Sequence, residues 1–326
     1  VGTALVAVAF VVAAISGAYH ISLGQLWGLI GRGLSGGPLD SPEQLVFLNI
    51  RLPRLVLAVA AGAGLAVAGA LMQGLFRNPL ADPGLIGISS GAALAAGLTI
   101  VVGQRWFPDL PHALGSWTLV LFAFIGGLAV TVLIYLFAQG PAGTSVGVML
   151  LAGVAVNAVA GAGLGYLNFI ATDEQLRNIQ FWLMGSLGGG RWSAVMLIAG
   201  VVALGSTAAL AWARPVNAIA LGEAQAALLG VNVERTKRAA ILITALMVGA
   251  VTATTGIIGF VGLIAPHWVR LVAGPDHRIV LPGSALLGAA LVLAADAVAR
   301  TAVKPAELPL GVLTAFMAVP LCLVMF

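Results

Sequence analysis

The chain has 326 residues, of which 60% are hydrophobic and only 8% are charged. A soluble globular domain carries about 25% charged residues, so this composition excludes an ordinary soluble protein and indicates a polytopic membrane protein. The apolar stretches are continuous and do not alternate with polar residues, which favours helices over a β-barrel. The formal net charge of +4 is too small to identify a partner. The single cysteine, Cys322, excludes an internal disulfide and a cysteine-based metal cluster.

Charge-free windows predict about ten membrane-spanning helices, because each crossing needs ~20 apolar residues. Nine crossings also fit, since residues 239–269 are too long for one span and short for two. We expect that stretch to break between Thr252 and Gly256. The whole chain, residues 1–326, is predicted to form a single all-α transmembrane domain. The windows are 1–17, 55–76, 83–103, 116–137, 145–170, 193–212, 239–255, 257–272, 281–300 and 308–326.

A polar island at residues 214–239 interrupts the apolar sequence. It carries six charged residues between two charge-free stretches, so it must lie in water or against another protein. Its middle has helix-forming composition, ends at Gly230, and would place Ile219, Ala226 and Leu229 near one face. Two interpretations stay open. The island is either an amphipathic helix that docks in a partner's groove, or a solvated helix on the bilayer surface.

Two arginines open the second predicted span. Arg51 and Arg54 stand on either side of Pro53 and share a helix face through their i, i+3 spacing. Cations at a helix N-terminus oppose the macrodipole, so they are not there to stabilise the helix. They either extend to the membrane interface or bind a partner.

Asp296 is the only acidic residue within a predicted span, and it precedes Arg300 by four residues in the favourable order. It is either an internal partner of Arg300 or a proton-relay carboxylate, as intramembrane acids often are. The second interpretation would make the chain a proton-coupled secondary transporter.

Motifs of catalysis and metal binding are weak or absent from the sequence. Residues 87–91 match G-x-S-x-G, but they lie in an apolar helix-like run and lack the strand–turn–helix context of a hydrolase. Close helix packing through small residues explains them better. The isolated histidines form no zinc motif, and no P-loop sequence is present. We therefore expect no catalytic residue, no bound metal and no ATP bound by this chain.

Several segments together resemble the FecCD-type permeases, the membrane subunits of ABC importers for iron–siderophores, haem and cobalamin. The most specific are NPLADPG at 78–84 and GFVGLIAPH at 259–267. Within that family, the run at 76–94 is most similar to the haem permeases. The matching segments are RLPR at 51–54, MQGLFRNPLADPGLIG at 72–87, LAGVAVN at 151–157, ALGEAQAALLG at 220–230, GFVGLIAPHWVRL at 259–271, DHR at 276–278 and AELPLGV at 306–312.

The resemblance implies a type II ABC importer permease with about ten helices spanning the bilayer. It implies a homodimer in the bacterial inner membrane, surrounded by lipid, with the pathway on the dimer axis. Separate ABC ATPase subunits would bind ATP on the cytoplasmic side, and a periplasmic binding protein would deliver the substrate. The implied cargo is haem, with a ferric siderophore or cobalamin as alternatives. No resident cofactor, enzymatic activity or nucleic-acid partner is expected.

The resemblance also assigns roles to residues. The polar island becomes a coupling helix at about 217–230, seated in a groove of the ATPase. The assigned residues are Arg51, Arg54 and Arg300 for docking the binding protein; Leu221, Gly222, Glu223, Ala226, Leu229 and Gly230 for coupling to the ATPase; Asn78, Leu80, Ser145 and Val146 for a cytoplasmic gate; and Asn157, Tyr166 and Asn168 for lining the pathway.

Overall fold

The computed structural model of the chain describes residues 2–16, 24, 28, 42–103, 106, 115–141, 143–303 and 306–324. These residues form a helical bundle with one short hairpin. The helices are α1 Gly2–Ile15, α2 Pro42–Val46, α3 Leu52–Phe76, α4 Ile88–Leu98, α5 Trp117–Phe137, α6 Val146–Ile170, α7 Asp173–Met184, α8 Trp192–Ala211, α9 Ala213–Ala220, α10 Glu223–Leu228, α11 Val233–Thr255, α12 Val261–Ala273, α13 His277–Thr301 and α14 Leu310–Val324.

Short irregular elements connect these helices. A π-helical stretch at Phe47–Arg51 joins α2 to α3, and another at Thr99–Gly103 extends α4. A 3₁₀ turn at Pro83–Ile86 precedes α4. The antiparallel strands β1 (Gln139–Gly140) and β2 (Gly143–Thr144) form the turn between α5 and α6.

Each predicted membrane window contains a helix, so the prediction of an all-α polytopic fold is confirmed. Among the described residues, six helical segments are long and apolar enough to cross a membrane. The number of crossings stays a prediction, because three further apolar helices, including α1 and α12, are shorter. The six segments are Gln44–Phe76, Trp117–Phe137, Val146–Ile170, Trp192–Ala211, Val233–Thr255 and His277–Thr301.

Helix α3 lies at the centre of the bundle, and most of its side chains are buried. Small residues bring its neighbours close. A Cβ atom at Gly62 would overlap the carbonyl oxygen of Gly288 on α13, and one at Gly69 would overlap that of Gly262 on α12. Backbones approach this closely only where side chains are absent, as the glycine-rich composition predicts.

One local prediction can be checked at a helix end. The break expected between Thr252 and Gly256 is confirmed, because α11 ends at Thr255 and Gly256 adopts a positive φ of 71°. Helix α7 was not predicted, since it is amphipathic and no span search would find it. Its start is nevertheless visible in the sequence as a capping box, in which Thr172 and Gln175 cap each other's backbone N–H groups.

The two ends of α3 define two faces of the bundle. Its 25 residues extend the helix over ~37 Å. Arg54 lies in its first turn, and Gly74, in its last turn, packs against Val216 of α9 and His277 of α13. We call the end that holds Arg51, Arg54 and Arg300 the arginine face, and the other end the opposite face.

Candidate functional site

A buried carboxylate holds two arginines together at the arginine face. Asp296 on α13 is fully buried and accepts hydrogen bonds from Arg54 Nε at 2.8 Å and from Arg300 Nε at 2.9 Å. The interpretation of Asp296 as the internal partner of Arg300 is therefore confirmed. Each of its oxygens is engaged by an arginine, which gives no support to a proton-relay role.

The outer edge of Arg54 pairs with a second carboxylate. Its Nη1 and Nη2 atoms donate to the two carboxylate oxygens of Glu307, each at 2.9 Å. This fork-on-fork geometry is the strong form of an arginine–carboxylate pair. Glu307 is 48% exposed, whereas the Arg54 side chain is only 12% exposed. The hydrogen bonds from Arg54 hold the pKa of Glu307 below its ordinary value.

Backbone carbonyls satisfy much of the remaining guanidinium hydrogen bonding. Arg51 is buried and donates through Nη1 to the carbonyl oxygen of Ala14 at 2.7 Å. Arg300 donates to the carbonyls of Ser16 at 2.8 Å and Ala13 at 2.9 Å. The end of α1 is thus held by cations from the π-helical stretch that precedes α3 and from α13.

The three arginines assigned to docking therefore lie together, as the resemblance implies, but their donors point largely into the subunit. A cation at a helix end inside an apolar bundle is costly unless it finds acceptors nearby. The part of this cluster that reaches the surface is the Arg54–Glu307 pair. Docking of a partner here stays a prediction.

The middle of the polar island forms two short helices, not the single helix that its composition predicts. Helix α9 ends at Ala220, and α10 begins at Glu223 after Gly222, which has a φ of 124°. Only glycine adopts such a conformation readily. Ile219 and Ala226 are fully buried within the subunit, whereas Leu229 is 66% exposed, so the three residues do not share the face that their spacing predicts. Ala226, which the resemblance assigns to coupling, therefore presents no surface to a partner in this structure. We call residues 213–230 the α9–α10 segment.

Three leucines of the α9–α10 segment have no covering partner within the described residues. Leu221, between the two helices, is 69% exposed, and Leu228 and Leu229, at the end of α10, are 89% and 66% exposed. The buried side of the segment, by contrast, packs on Val231 and Val233. The segment therefore presents an apolar surface away from the bundle.

The residues assigned to the gate lie in two loops at the opposite face. Asn78 follows α3, and its side-chain oxygen accepts a hydrogen bond from the backbone N–H of Leu80 at 2.9 Å. Leu80 is 42% exposed. Ser145 caps the start of α6 through the N–H of Val148, and Val146 packs against the core. The structure thus places these residues at helix ends, and their closure of an exit stays a prediction.

Polar side chains of α11 hold the second of these loops. Lys237 is buried, and its Nζ atom donates to the carbonyl oxygen of Thr144 at 2.6 Å and to Glu223 at 2.7 Å. Glu234 accepts from the N–H of Thr144 at 3.0 Å and from its hydroxyl at 2.5 Å. Sequence reasoning missed these contacts, because no local spacing links residues so far apart in the chain.

A second polar network joins the α9–α10 segment to α3. Asn217 donates to Asp276 at 2.7 Å, and its oxygen lies 2.6 Å from Nδ1 of His277. The other ring nitrogen of His277 lies 3.3 Å from Arg270, which in turn donates to Gln73 of α3. Sequence reasoning missed this network as well, although it had marked several of its residues as part of a family motif.

The residues assigned to the pathway do not share one face of α6. Asn157 and Asn168 lie on its partly buried side, where Asn157 accepts a hydrogen bond from Ser90 at 2.5 Å. Tyr166 is 65% exposed. Tyr166 follows Asn157 by nine residues, which is about two and a half helical turns. The two side chains therefore point in opposite directions. A single subunit cannot direct all three into one channel through this helix.

Comparison with known proteins identifies the family of this fold. A model of the FecCD transport family matches residues 5–326. The chain belongs to the FecCD transport family. It is therefore an ABC transporter permease and a multi-pass membrane protein.

Individual relatives match over most of their length. The chain is 47% identical over 275 residues to the hemin transport system permease protein HmuU of Yersinia pestis, covering 84% of this chain and 81% of that protein. It is 43% identical over 278 residues to the cobalamin import system permease protein BtuC of Halobacterium salinarum, covering 85% and 72%. A solved structure of a metal-chelate type ABC transporter in an inward-facing conformation matches with a TM-score of 0.86 and 32% identity, covering 99% and 96% of the two chains.

The arginine cluster makes a direct prediction about stability. Asp296→Asn leaves Arg54 and Arg300 without their shared counter-charge, and breaking a buried pair in this way costs ~3–5 kcal/mol. Glu307→Gln removes a half-exposed carboxylate, for which the cost is ~0–1 kcal/mol. Thermal unfolding of the purified variants in detergent checks the difference. Equal stability of the two variants would contradict the central role of Asp296.

Proposed function

We propose that this chain is the membrane subunit of an ATP-driven importer that brings haem into the cytoplasm across the bacterial inner membrane. The observation that carries the proposal is the 47% identity to a hemin permease over most of both chains. The similarity to a cobalamin permease at 43% identity makes cobalamin the second candidate. A ferric siderophore is the third candidate, because a related solved structure is of a metal-chelate type ABC transporter.

The proposed machine divides its work among several subunits. Two copies of this chain would form the channel, two ABC ATPase subunits would bind and hydrolyse ATP, and a periplasmic binding protein would deliver the cargo. The sequence supports this division, because it contains no P-loop. This chain then needs surfaces for its partners at both faces of the bundle.

The α9–α10 segment is the proposed docking site of the ATPase. Its exposed leucines, Leu221, Leu228 and Leu229, provide the apolar anchors that a helix lends to a partner's groove. The two loops proposed as the gate, at Asn78–Leu80 and Ser145–Val146, lie at the same face of the bundle. In this arrangement the ATPase would dock close to the proposed cytoplasmic exit.

The arginine face is the proposed docking site of the binding protein. Arg54 already forms an ion pair with Glu307 on its outer edge. An acidic residue of the binding protein would therefore have to displace Glu307 from Arg54. Such an exchange replaces one carboxylate by another, and its net free energy is small. Arg51 and Arg300 would contribute mainly through the positive potential of the cluster.

The cargo is tested by reconstituting the chain into vesicles with its ATPase and binding protein and measuring ATP-dependent uptake. We expect accumulation of haem and none of cobalamin, with no uptake when the ATPase is inactive. Accumulation of cobalamin alone would show that cobalamin, and not haem, is the cargo. Uptake that ignores ATP and collapses with an uncoupler would contradict the importer itself.

Docking of the ATPase is tested on its apolar anchors. Leu228→Asp together with Leu229→Asp should lower the affinity for the ATPase by at least about tenfold, because interface anchors contribute roughly 2 kcal/mol or more. Val303→Asp is the matched control, since Val303 is an exposed apolar residue beyond the end of α13 at the arginine face. Affinity is measured by titrating the ATPase onto the immobilised permease. Normal binding by the double variant would place the ATPase elsewhere.

Docking of the binding protein is tested by removing the internal competitor of Arg54. Glu307→Gln should strengthen docking at low salt by up to about fivefold, in keeping with an exposed ion pair of ~0–1 kcal/mol, and added salt should diminish the gain. Glu174→Gln removes the same charge from the first turn of α7, where no arginine contact is found among the described residues. If both variants bind the partner equally, Arg54 is not a docking residue.

A further inference from the structure

Lys237 is a buried cation with partners on two different elements. Its side chain is only 4% exposed. It donates to the carboxylate of Glu223, the first residue of α10, and to the backbone carbonyl of Thr144 in β2. The ammonium group therefore links the α9–α10 segment to the loop that precedes α6.

The position of Lys237 is not explained by the stability of its own helix. It lies in the second turn of α11, where a cation near the N-terminus opposes the helix macrodipole. A buried ammonium group is also costly without acceptors. The contacts with Glu223 and Thr144 offset both costs, so the side chain must stay with these two partners.

Thr144 is held more completely than a loop residue usually is. Lys237 binds its carbonyl, while Glu234 binds its N–H and its hydroxyl. Arg238 in turn donates to Glu234 at 3.2 Å. The N–H, the carbonyl and the hydroxyl of Thr144 are therefore all hydrogen-bonded to side chains of α11. The next residue, Ser145, is the N-cap of α6.

Glu223 is the movable partner of this arrangement. Its side chain is 40% exposed, and α10 comprises only six residues. The helix is attached to the bundle through a small apolar cluster around Ala226. A displacement of α10 therefore carries the carboxylate with it, and the buried Lys237 either follows or loses its counter-charge.

We propose that Lys237 is a positioning residue that transmits movement of the α9–α10 segment to Thr144 and so to the start of α6. The inference rests on the proposed function, in which that segment receives the ATPase and the loop at Ser145 belongs to the gate. It adds a specific mechanical link, made of two hydrogen bonds of 2.7 and 2.6 Å, between these two sites.

The test replaces Lys237 and Glu223 in the complete complex with its ATPase and binding protein. Lys237→Met keeps the unbranched apolar stem and removes the donors, and Glu223→Gln keeps the shape and removes the charge. We expect Lys237→Met to bind the ATPase normally and to hydrolyse ATP. Glu223 lies in the proposed docking segment, so Glu223→Gln is assayed at saturating ATPase and compared only by its uptake per ATP hydrolysed. Uptake per ATP hydrolysed should fall by about five- to tenfold, at the lower end of typical coupling between sites.

The double variant tests whether Glu223 acts through Lys237. If it does, Lys237→Met with Glu223→Gln is no worse than Lys237→Met alone. Multiplied losses would mean that the two residues act separately and would overturn the link. Arg278→Gln is the matched control, because it removes an exposed ion pair with Asp276 at the same face without touching the loop.

The outcomes separate this inference from the proposed function. If the wild-type complex imports no cargo, the proposed function fails. If the wild type imports but Lys237→Met keeps its uptake per ATP, with only its thermal stability lowered, Lys237 is structural and the inference fails. Should Lys237→Met not fold, Glu223→Gln decides alone, and unchanged uptake per ATP in that variant overturns the proposal.

Discussion

Two of the buried charges among the described residues, Asp296 and Lys237, are paired with opposite charges of the same chain, and the arrangement of the helix ends depends on those pairs. Asp296 holds Arg54 and Arg300, so it fixes the start of α3 against the end of α13. Lys237 similarly joins α11 to two elements that are distant in sequence. In an apolar surrounding, an unpaired charge destabilises the folded state by several kcal/mol. The fold therefore depends on these contacts.

The two faces of the bundle meet this requirement in different ways. At the arginine face the central carboxylate is fully buried, and backbone carbonyls of α1 accept several of the remaining donors. Within the part of the chain that the structure describes, Glu307 is the most exposed member of that network. At the opposite face the counter-charge of Lys237 lies on a short, partly exposed helix. Under the proposed function, a fixed attachment at one face and a partly exposed attachment at the other would suit a permease that an ATPase drives from the opposite face.

Much of the fold could be predicted because the bilayer imposes length and apolarity on every span. The windows, the break before Gly256 and the close approach of helices through glycine all follow from composition and local sequence. The pair of Asp296 and Arg300 was also predictable, since an i, i+4 spacing fixes two side chains on one helix face. Helix α7 could have been found from its capping box.

The contacts at the opposite face could not be predicted, because they depend on one backbone turn. The sequence from Ile219 to Leu229 has the composition of a continuous helix, in which Glu223 would stand one turn after Ile219 on the same face. Ile219 is fully buried in its apolar cluster, so a continuous helix would carry Glu223 towards that cluster. The positive φ of Gly222 redirects the chain, and Glu223 meets Lys237. Helix propensity measures a cost per residue and carries no information about direction, so a single glycine decides which charges meet.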